Sequence, residues 1–159
     1  LDLDIFFPIE LSIKKKNYDN LVDSKYINYL LYEAKDSCQK TIDDKKIIHM
    51  IISNYRINNQ DYALFPKNIK CDTFSLDVKF LCINIRLIKN FEKTFKKYHI
   101  SLSQVLSGSY VKSFLSNEEN DIFLMAKKIK NGYNVNEVKI VNKTLKNEGF
   151  FEKFFNLFS

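Results

Sequence analysis

The sequence predicts an α+β domain: a small antiparallel sheet of three to four strands carrying two to three helices, with an amphipathic helix at its C-terminal end. Three observations predict it. Apolar and polar residues alternate in short runs, as in Ile9-Glu10-Leu11-Ser12-Ile13 and again over 74–80, which is the period of a half-buried strand. Between these runs the period lengthens to that of a helix, with Tyr26, Ile27, Leu30, Leu31, Ala34 and Cys38 on one face. Turn residues cluster between the segments, and no apolar run approaches the roughly 20 residues that a membrane-spanning helix needs.

The first seven residues alternate only partly and Pro8 interrupts them, so the first strand is placed at 9–13, ended by the polar stretch 14–20. Asp23 or Ser24 caps a helix over 24–40, whose other face carries Lys25, Asn28, Glu33, Lys35 and Asp36. A charged turn at 41–46 leads into the strongest strand, 47–57. There Ile47, Ile48, Met50, Ile51 and Ile52 form the nearly continuous apolar run of a strand covered on both faces. Asn58, Asn59 and Asp61 mark a turn. A short strand at 62–65 stops at Pro66, and 68–72 is a loop. The strand 74–83 turns Ser75, Asp77 and Lys79 to solvent. Leu87, Ile88, Phe91, Phe95 and Tyr98 place a helix at 86–98. His99, Ile100 and Leu102 open a short strand ending near Leu106, and Gly108 turns the chain into a helix bearing Tyr110, Val111, Phe114 and Leu115. The acidic stretch 118–121 marks a boundary. The chain thus divides into a domain at 1–120, a linker at 121–142 with a short amphipathic segment at 122–130, and a tail at 143–159.

The net charge of +6, from 25 Lys and Arg against 19 Asp and Glu, suits acidic partners such as nucleic acid, an anionic membrane face or an acidic protein. Cys38, Cys71 and Cys82 are widely spaced, with no CxxC, and read as reduced thiols of a cytoplasmic protein. The opening LDLDIFFPIEL carries two Asp and no basic flank, unlike a secretory leader. Gly108, Gly132 and Gly149 stand apart, so no phosphate-cradling loop can be drawn and no cofactor is expected. His49 lies inside an apolar strand, as a satisfied core or edge histidine does. His99 ends a helix, where an imidazolium suits the dipole. The acidic pairs Asp43-Asp44 and Glu118-Glu119 read as solvated loop residues. No catalytic or metal-binding constellation is expected, and the chain reads as a non-enzyme. Lys14-Lys15-Lys16, and Lys93 with Lys96 and Lys97, lie near Tyr18, Phe95 and Tyr98. They allow an alternative reading, a small basic RNA-binding α+β domain. A solvated face is the better account, so nucleic acid is not the expected partner.

The tail carries the sharpest local pattern. On a helix Phe151, Phe154, Phe155 and Phe158 fall on one stripe, with Phe150 at its edge, and Leu157 adds a further apolar residue to the segment. Lys143, Lys146 and Lys153 add positive charge. Such a helix either lies in a membrane interface, rings toward the acyl chains and lysines among anionic headgroups, or docks on the core of its own domain. Five large rings exceed what one docking helix buries, so the membrane is the better account. The membrane-contacting residues are then Phe150, Phe151, Lys153, Phe154, Phe155, Leu157 and Phe158.

With these segments in order, the sequence resembles the FtsA family, actin-like bacterial cell-division proteins that tether the division ring to the membrane. A strand at 11–13 precedes the helix bearing Ile27, Leu30, Leu31 and Ala34. The strand Ile47-Ile48-His49-Met50-Ile51-Ile52 follows, and then Asn54-Tyr55-Arg56-Ile57-Asn58, similar to the family's Pro-x-x-Tyr-x-Ile-Asp segment without its proline. Leu76-Asp77-Val78-Lys79-Phe80-Leu81, the helix of 90–98, Ile100-Ser101-Leu102-Ser103-Gln104-Val105 and the helix of 107–115 come in family order. Gly149, Phe150, Phe151 and Lys153 are similar to the start of the family's terminal membrane helix. The resemblance implies the family's insert subdomain, a strand–helix–strand–strand unit that meets neighbouring protomers and late division proteins. It also implies a peripheral location on the cytoplasmic face of the inner membrane. The expected partners are division proteins or further copies of the chain, together with anionic membrane. The polar turn at 43–46 and the exposed face of the 74–83 strand are the expected contacts, through Lys45, Lys46, Asp77 and Lys79. The family's two actin-like halves, with the Gly-rich loops that hold ATP, have no counterpart in the sequence. ATP binding and docking of the ring protein FtsZ are therefore not carried over.

Overall fold

The computed structural model describes residues 5–21, 23–66, 69–117 and 120–139. Over these the chain forms β1 (Phe6–Leu21), α1 (Ser24–Thr41), β2 (Lys45–Ile57), β3 (Gln60–Tyr62), β4 (Lys70–Asn84), α2 (Ile85–Lys96), α3 (Gly108–Lys112) and α4 (Ile122–Lys130). The strands make one antiparallel sheet in the order β1-β4-β2-β3, so the chain is the α+β domain that the sequence predicts. The tail at 143–159, with all of its membrane-contacting residues, lies outside the described residues.

The sheet's two faces follow from the two-residue period of its strands. Phe74, Leu76, Val78, Phe80 and Cys82 of β4 face α1. They are flanked by Ile9, Leu11 and Ile13 of β1 and by Ile47, Met50, Ile52, Tyr55 and Ile57 of β2. α1 buries Ile27, Leu30, Leu31, Ala34 and Cys38 into this surface. Its first turn is fixed by Asp23, whose carboxylate accepts the Tyr26 N–H at 2.7 Å. Each of the large apolar side chains sealed here contributes about 1.5–3 kcal/mol on leaving water. β2 shifts register between Ile47 and His49 and again between Ile52 and Asn54. These bulges let its unbroken apolar run serve both faces: Met50 and Ile52 go to α1, while His49 and Ile51 pair with Leu81 and Lys79 on the opposite face.

Among the described residues, that opposite face is covered over one half only. Tyr110 and Val111 of α3, with Met125 and Ile129 of α4, form a second cluster on Ile51 and Leu81. The chain then closes the outer edge of β2: the Ile52 N–H donates to the Asn136 carbonyl at 2.9 Å, and the Val138 N–H to the Met50 carbonyl at 2.8 Å. Residues 121–139, expected within a linker, are therefore packed onto the domain. Gly132, at φ +92, makes the turn out of α4 that leads there.

Two further expectations change. β1 continues past its predicted end to Leu21, because β4 is long enough to pair with it: Lys14, Lys15 and Lys16 lie opposite Ser75, Phe74 and Thr73. Polar side chains suit such an edge strand. No strand forms over 100–106, because β3 and residues 136–138 already occupy the outer edge of β2. α2 instead ends in a Schellman turn, with His99 at φ 57. There the His99 N–H bonds the Lys96 carbonyl and the Ile100 N–H bonds the Phe95 carbonyl, both at 3.1 Å.

Candidate functional site

His49, Tyr110 and Glu137 meet where β2, α3 and residues 134–137 converge. His49 is 1% exposed. Its Nδ1 lies 2.6 Å from Glu137 Oε1, and its Nε2 accepts the Ser107 backbone N–H at 3.0 Å. Because a backbone N–H only donates, Nε2 is unprotonated and Nδ1 carries the proton that Glu137 accepts. The other oxygen of Glu137 accepts the Tyr110 hydroxyl at 2.9 Å, and Asn134 Nδ2 donates to that same hydroxyl oxygen at 2.9 Å. The His49 and Tyr110 rings lie 4.5 Å apart. Burial pushes the Tyr110 phenol well above its usual range, and the Glu137 carboxylate adds to the rise.

Chemically this resembles the base-and-orienting-carboxylate arrangement of hydrolytic sites, but its reactive end is closed. The nitrogen that would take a nucleophile's proton holds a backbone amide instead. Ser107 does not complete a triad either: its hydroxyl accepts the Tyr110 N–H at 3.3 Å as the cap of α3. The network ties two separate stretches of chain, 107–110 and 134–137, to β2. A shallow cavity of about 320 Å³ opens beside it, with Gln104, Lys130 and Lys139 at its wall and Glu137 among its lining residues. Among the described residues no group of three or more His, Cys, Asp or Glu is placed to hold a metal ion. Also among these residues, no helix is long and apolar enough to cross a membrane.

The half of the opposite sheet face that the described residues leave uncovered is polar. Asp77 accepts the Ser12 hydroxyl at 2.5 Å, and Lys79 Nζ stands 3.6 Å from Glu10. Arg56 makes a two-pronged contact with Asp61 at 2.6 and 3.1 Å, and Asn54 reaches the same carboxylate at 2.9 Å. This ion pair holds the Asp61 carboxyl below its ordinary range.

The four residues predicted to bind a partner divide across the molecule. Asp77 and Lys79 lie together on this open face. Lys46 pairs with Ile83 on the same side, four positions further along β4, or about 13 Å away. Lys45 pairs with Asn84, and pleat alternation turns it to the α1 face. There its ammonium sits 2.9 Å from Asp44 and 5.3 Å from the centre of the Phe7 ring. The hydrogen bond from Lys45 pulls the Asp44 carboxyl below its usual range. The basic cluster of Lys93, Lys96 and Lys97 is exposed, while Phe95 stacks on Phe91 at 6.4 Å.

Sequence reasoning missed Glu137, Tyr110 and Asn134 as partners of His49. The available signal was His49 itself, since a histidine inside an apolar strand demands polar partners. Nothing in the spacing said that they would come from residues 107–137. No protein-family model matches the chain, and no curated protein is similar to it.

Proposed function

We propose that the chain is a non-enzymatic module of the bacterial cell-division machinery, which offers protein-binding surface from its domain and attaches peripherally to anionic membrane through its tail. The reading rests on the FtsA-like order of sequence segments and on the Phe-rich tail pattern. The observation that supports its non-enzymatic part is the state of His49: both ring nitrogens are committed to Glu137 and Ser107, so this buried histidine serves as a structural bolt. The charged side chains left on the surface form a polar sheet face around Asp77 and Lys79 that suits contact with another protein.

The test is a pairwise interaction assay against the division proteins of the source organism, run beside imaging of a fluorescent fusion for septal enrichment. Asp77→Lys with Lys79→Glu reverses the open face, and Lys45→Glu with Lys46→Glu reverses the far end of β2. The expected outcome is septal enrichment of the wild type and loss of at least one interaction in one of the two double variants. A diffuse wild-type fusion, with every interaction unchanged in both variants, sinks the proposal. Saturable binding of RNA by the wild type, lost on neutralising Lys14, Lys15 and Lys16, replaces it with the RNA-binding reading.

A further inference from the structure

The two long edges of the sheet differ. The outer edge of β2 is closed by β3 over Tyr55–Ile57 and by residues 136–138 beside Met50 and Ile52. β1, 16 residues long, pairs with β4 on one side and with no other described segment on its other side. Such an edge presents a row of main-chain donors and acceptors. Pro8 marks how they point. Proline in an edge strand turns its missing N–H away from the ladder. By the two-residue period the main-chain groups of Glu10, Ser12 and Lys14 then point outward as well. On the α1 side, Ile9, Leu11 and Ile13 are only partly buried. Among the described residues, the edge thus has unused hydrogen-bonding groups and an apolar stripe that is partly covered.

We infer that β1 is a homodimerisation strand, and that two copies of this chain pair antiparallel along it about a two-fold axis at Ser12, making one continuous eight-stranded sheet. The sequence of the strand is complementary to itself in this register. Residues whose numbers sum to 24 face each other, so Glu10 meets Lys14 of the second copy and Lys14 meets its Glu10, both on the polar face. Leu11 meets Ile13 and Ile13 meets Leu11 on the α1 face, which extends the cover of that stripe, while Ile9 at its end lies against the aliphatic stem of Lys15 of the second copy. Ser12 lies opposite itself. Moving the axis to Leu11 sets Glu10 against Ser12, and moving it to Ile13 sets Leu11 against Lys15. Neither register keeps both the ion pairs and the apolar pairs. The interface uses main-chain groups and residues 8–16, and it holds whether or not the chain serves in division.

Sedimentation velocity on the full chain tests it, with circular dichroism as the check on folding. A single copy has a mass of 18.8 kDa, and the wild type is expected at twice that. Glu10→Lys alone sets two lysines against each other at both ends of the pairing, and Lys14→Glu alone sets two glutamates there. Each variant is therefore expected to sediment as a folded monomer. An equimolar mixture of the two sets the lysines of one against the glutamates of the other and is expected to recover the dimer. This recovery excludes a simple fold defect, including one from losing the contact between Glu10 and Lys79. A wild type that stays monomeric at every concentration overturns the inference. So does a dimer that neither variant weakens, which assigns association to another surface such as the tail, or a mixture that fails to recover the dimer.

Discussion

At the scale of single residues the interior is organised by one histidine. His49 needs an acceptor at Nδ1 and a donor at Nε2, and the fold supplies both from chain more than fifty residues away, Glu137 and the Ser107 amide. Losing either side-chain partner strands the other. Glu137→Gln replaces a charge-assisted bond by a neutral one and sets an amide against two donors, so a loss of about 1–3 kcal/mol is expected in urea denaturation. Tyr110→Phe removes one of the two donors to Glu137, with an expected loss of about 0.5–1.5 kcal/mol. A double-mutant cycle between positions 110 and 137 then shows a coupling that independent sites lack. The thiols and phenols set a second expectation. Burial pushes the Cys82 thiol up to about 12, with Cys38 beside it raised for the same reason. Burial also lifts the Tyr55 phenol to about 12. Such groups stay neutral in the fold while the unfolded chain ionises them at about pH 9 to 10. Their contribution is complete below that range. Across the window up to about pH 12 the folded state holds the extra protons of Cys82 and Tyr55, so stability falls by up to ~1.4 kcal/mol per pH unit for each of these two. The urea midpoint is expected to drop steeply above pH 9, and a thiol reagent at pH 8 is expected to label the cysteines only as the chain unfolds. A flat alkaline profile with fast native labelling contradicts this assignment.

At the scale of elements, what the sequence revealed was what local chemistry controls. α1 could be read because Asp23, the five buried apolar residues and the polar face all repeat at helical spacing. The turn after β2 could be read because two asparagines tolerate the left-handed backbone that it needs, at φ 49 and 65. That turn yields a test. Asn59 supplies conformation only, so Asn59→Gly is expected to be neutral or to stabilise by about 0.5 kcal/mol. Asn58 has the same backbone, but its side chain also accepts the Asp72 N–H at 2.9 Å and donates to the Lys70 carbonyl at 3.2 Å. Asn58→Gly is therefore expected to cost about 1–2 kcal/mol, and thermal melts of the pair separate the two roles. The features that could not be read are those decided by competition for sheet edges. The 100–106 stretch has strand-like alternation, but β3 and residues 136–138 occupy the outer edge of β2. Lys14, Lys15 and Lys16 look like a terminator, yet β4 extends far enough to hold them in a strand. The bulges in β2 depend on which neighbour pairs with it, and a continuous run of isoleucines does not announce them.

At the scale of the whole molecule, the α+β architecture followed from periodicity, whereas the distribution of the candidate contact residues did not. Lys45 and Lys46 are adjacent in sequence and fall on opposite faces, while Glu10 and Lys79 are distant in sequence and stand 3.6 Å apart. The proposed membrane attachment rests instead on a stripe within one segment, where spacing alone decides which side chains share a face. Phe151, Phe154, Phe155 and Phe158 recur at helical spacing, beside Lys143, Lys146 and Lys153. Full burial of one phenylalanine is worth ~1.5–3 kcal/mol, and interfacial insertion buries each ring in part, so the low end applies. Four or five rings then supply on the order of 5 kcal/mol before the cost of ordering the helix. Each lysine near an anionic leaflet adds about 1 kcal/mol, a contribution that salt screens. The sum corresponds to reversible attachment. The full chain is expected to sediment with anionic vesicles at low ionic strength, and less as salt rises. Phe154→Glu with Phe155→Glu places two charges in the middle of the stripe and is expected to abolish sedimentation. It is also expected to leave the urea midpoint unchanged, because on this reading the tail serves membrane contact and not core packing. A wild type that ignores vesicles, beside a double variant that unfolds, makes the tail a docking helix of this domain and removes the membrane from its function.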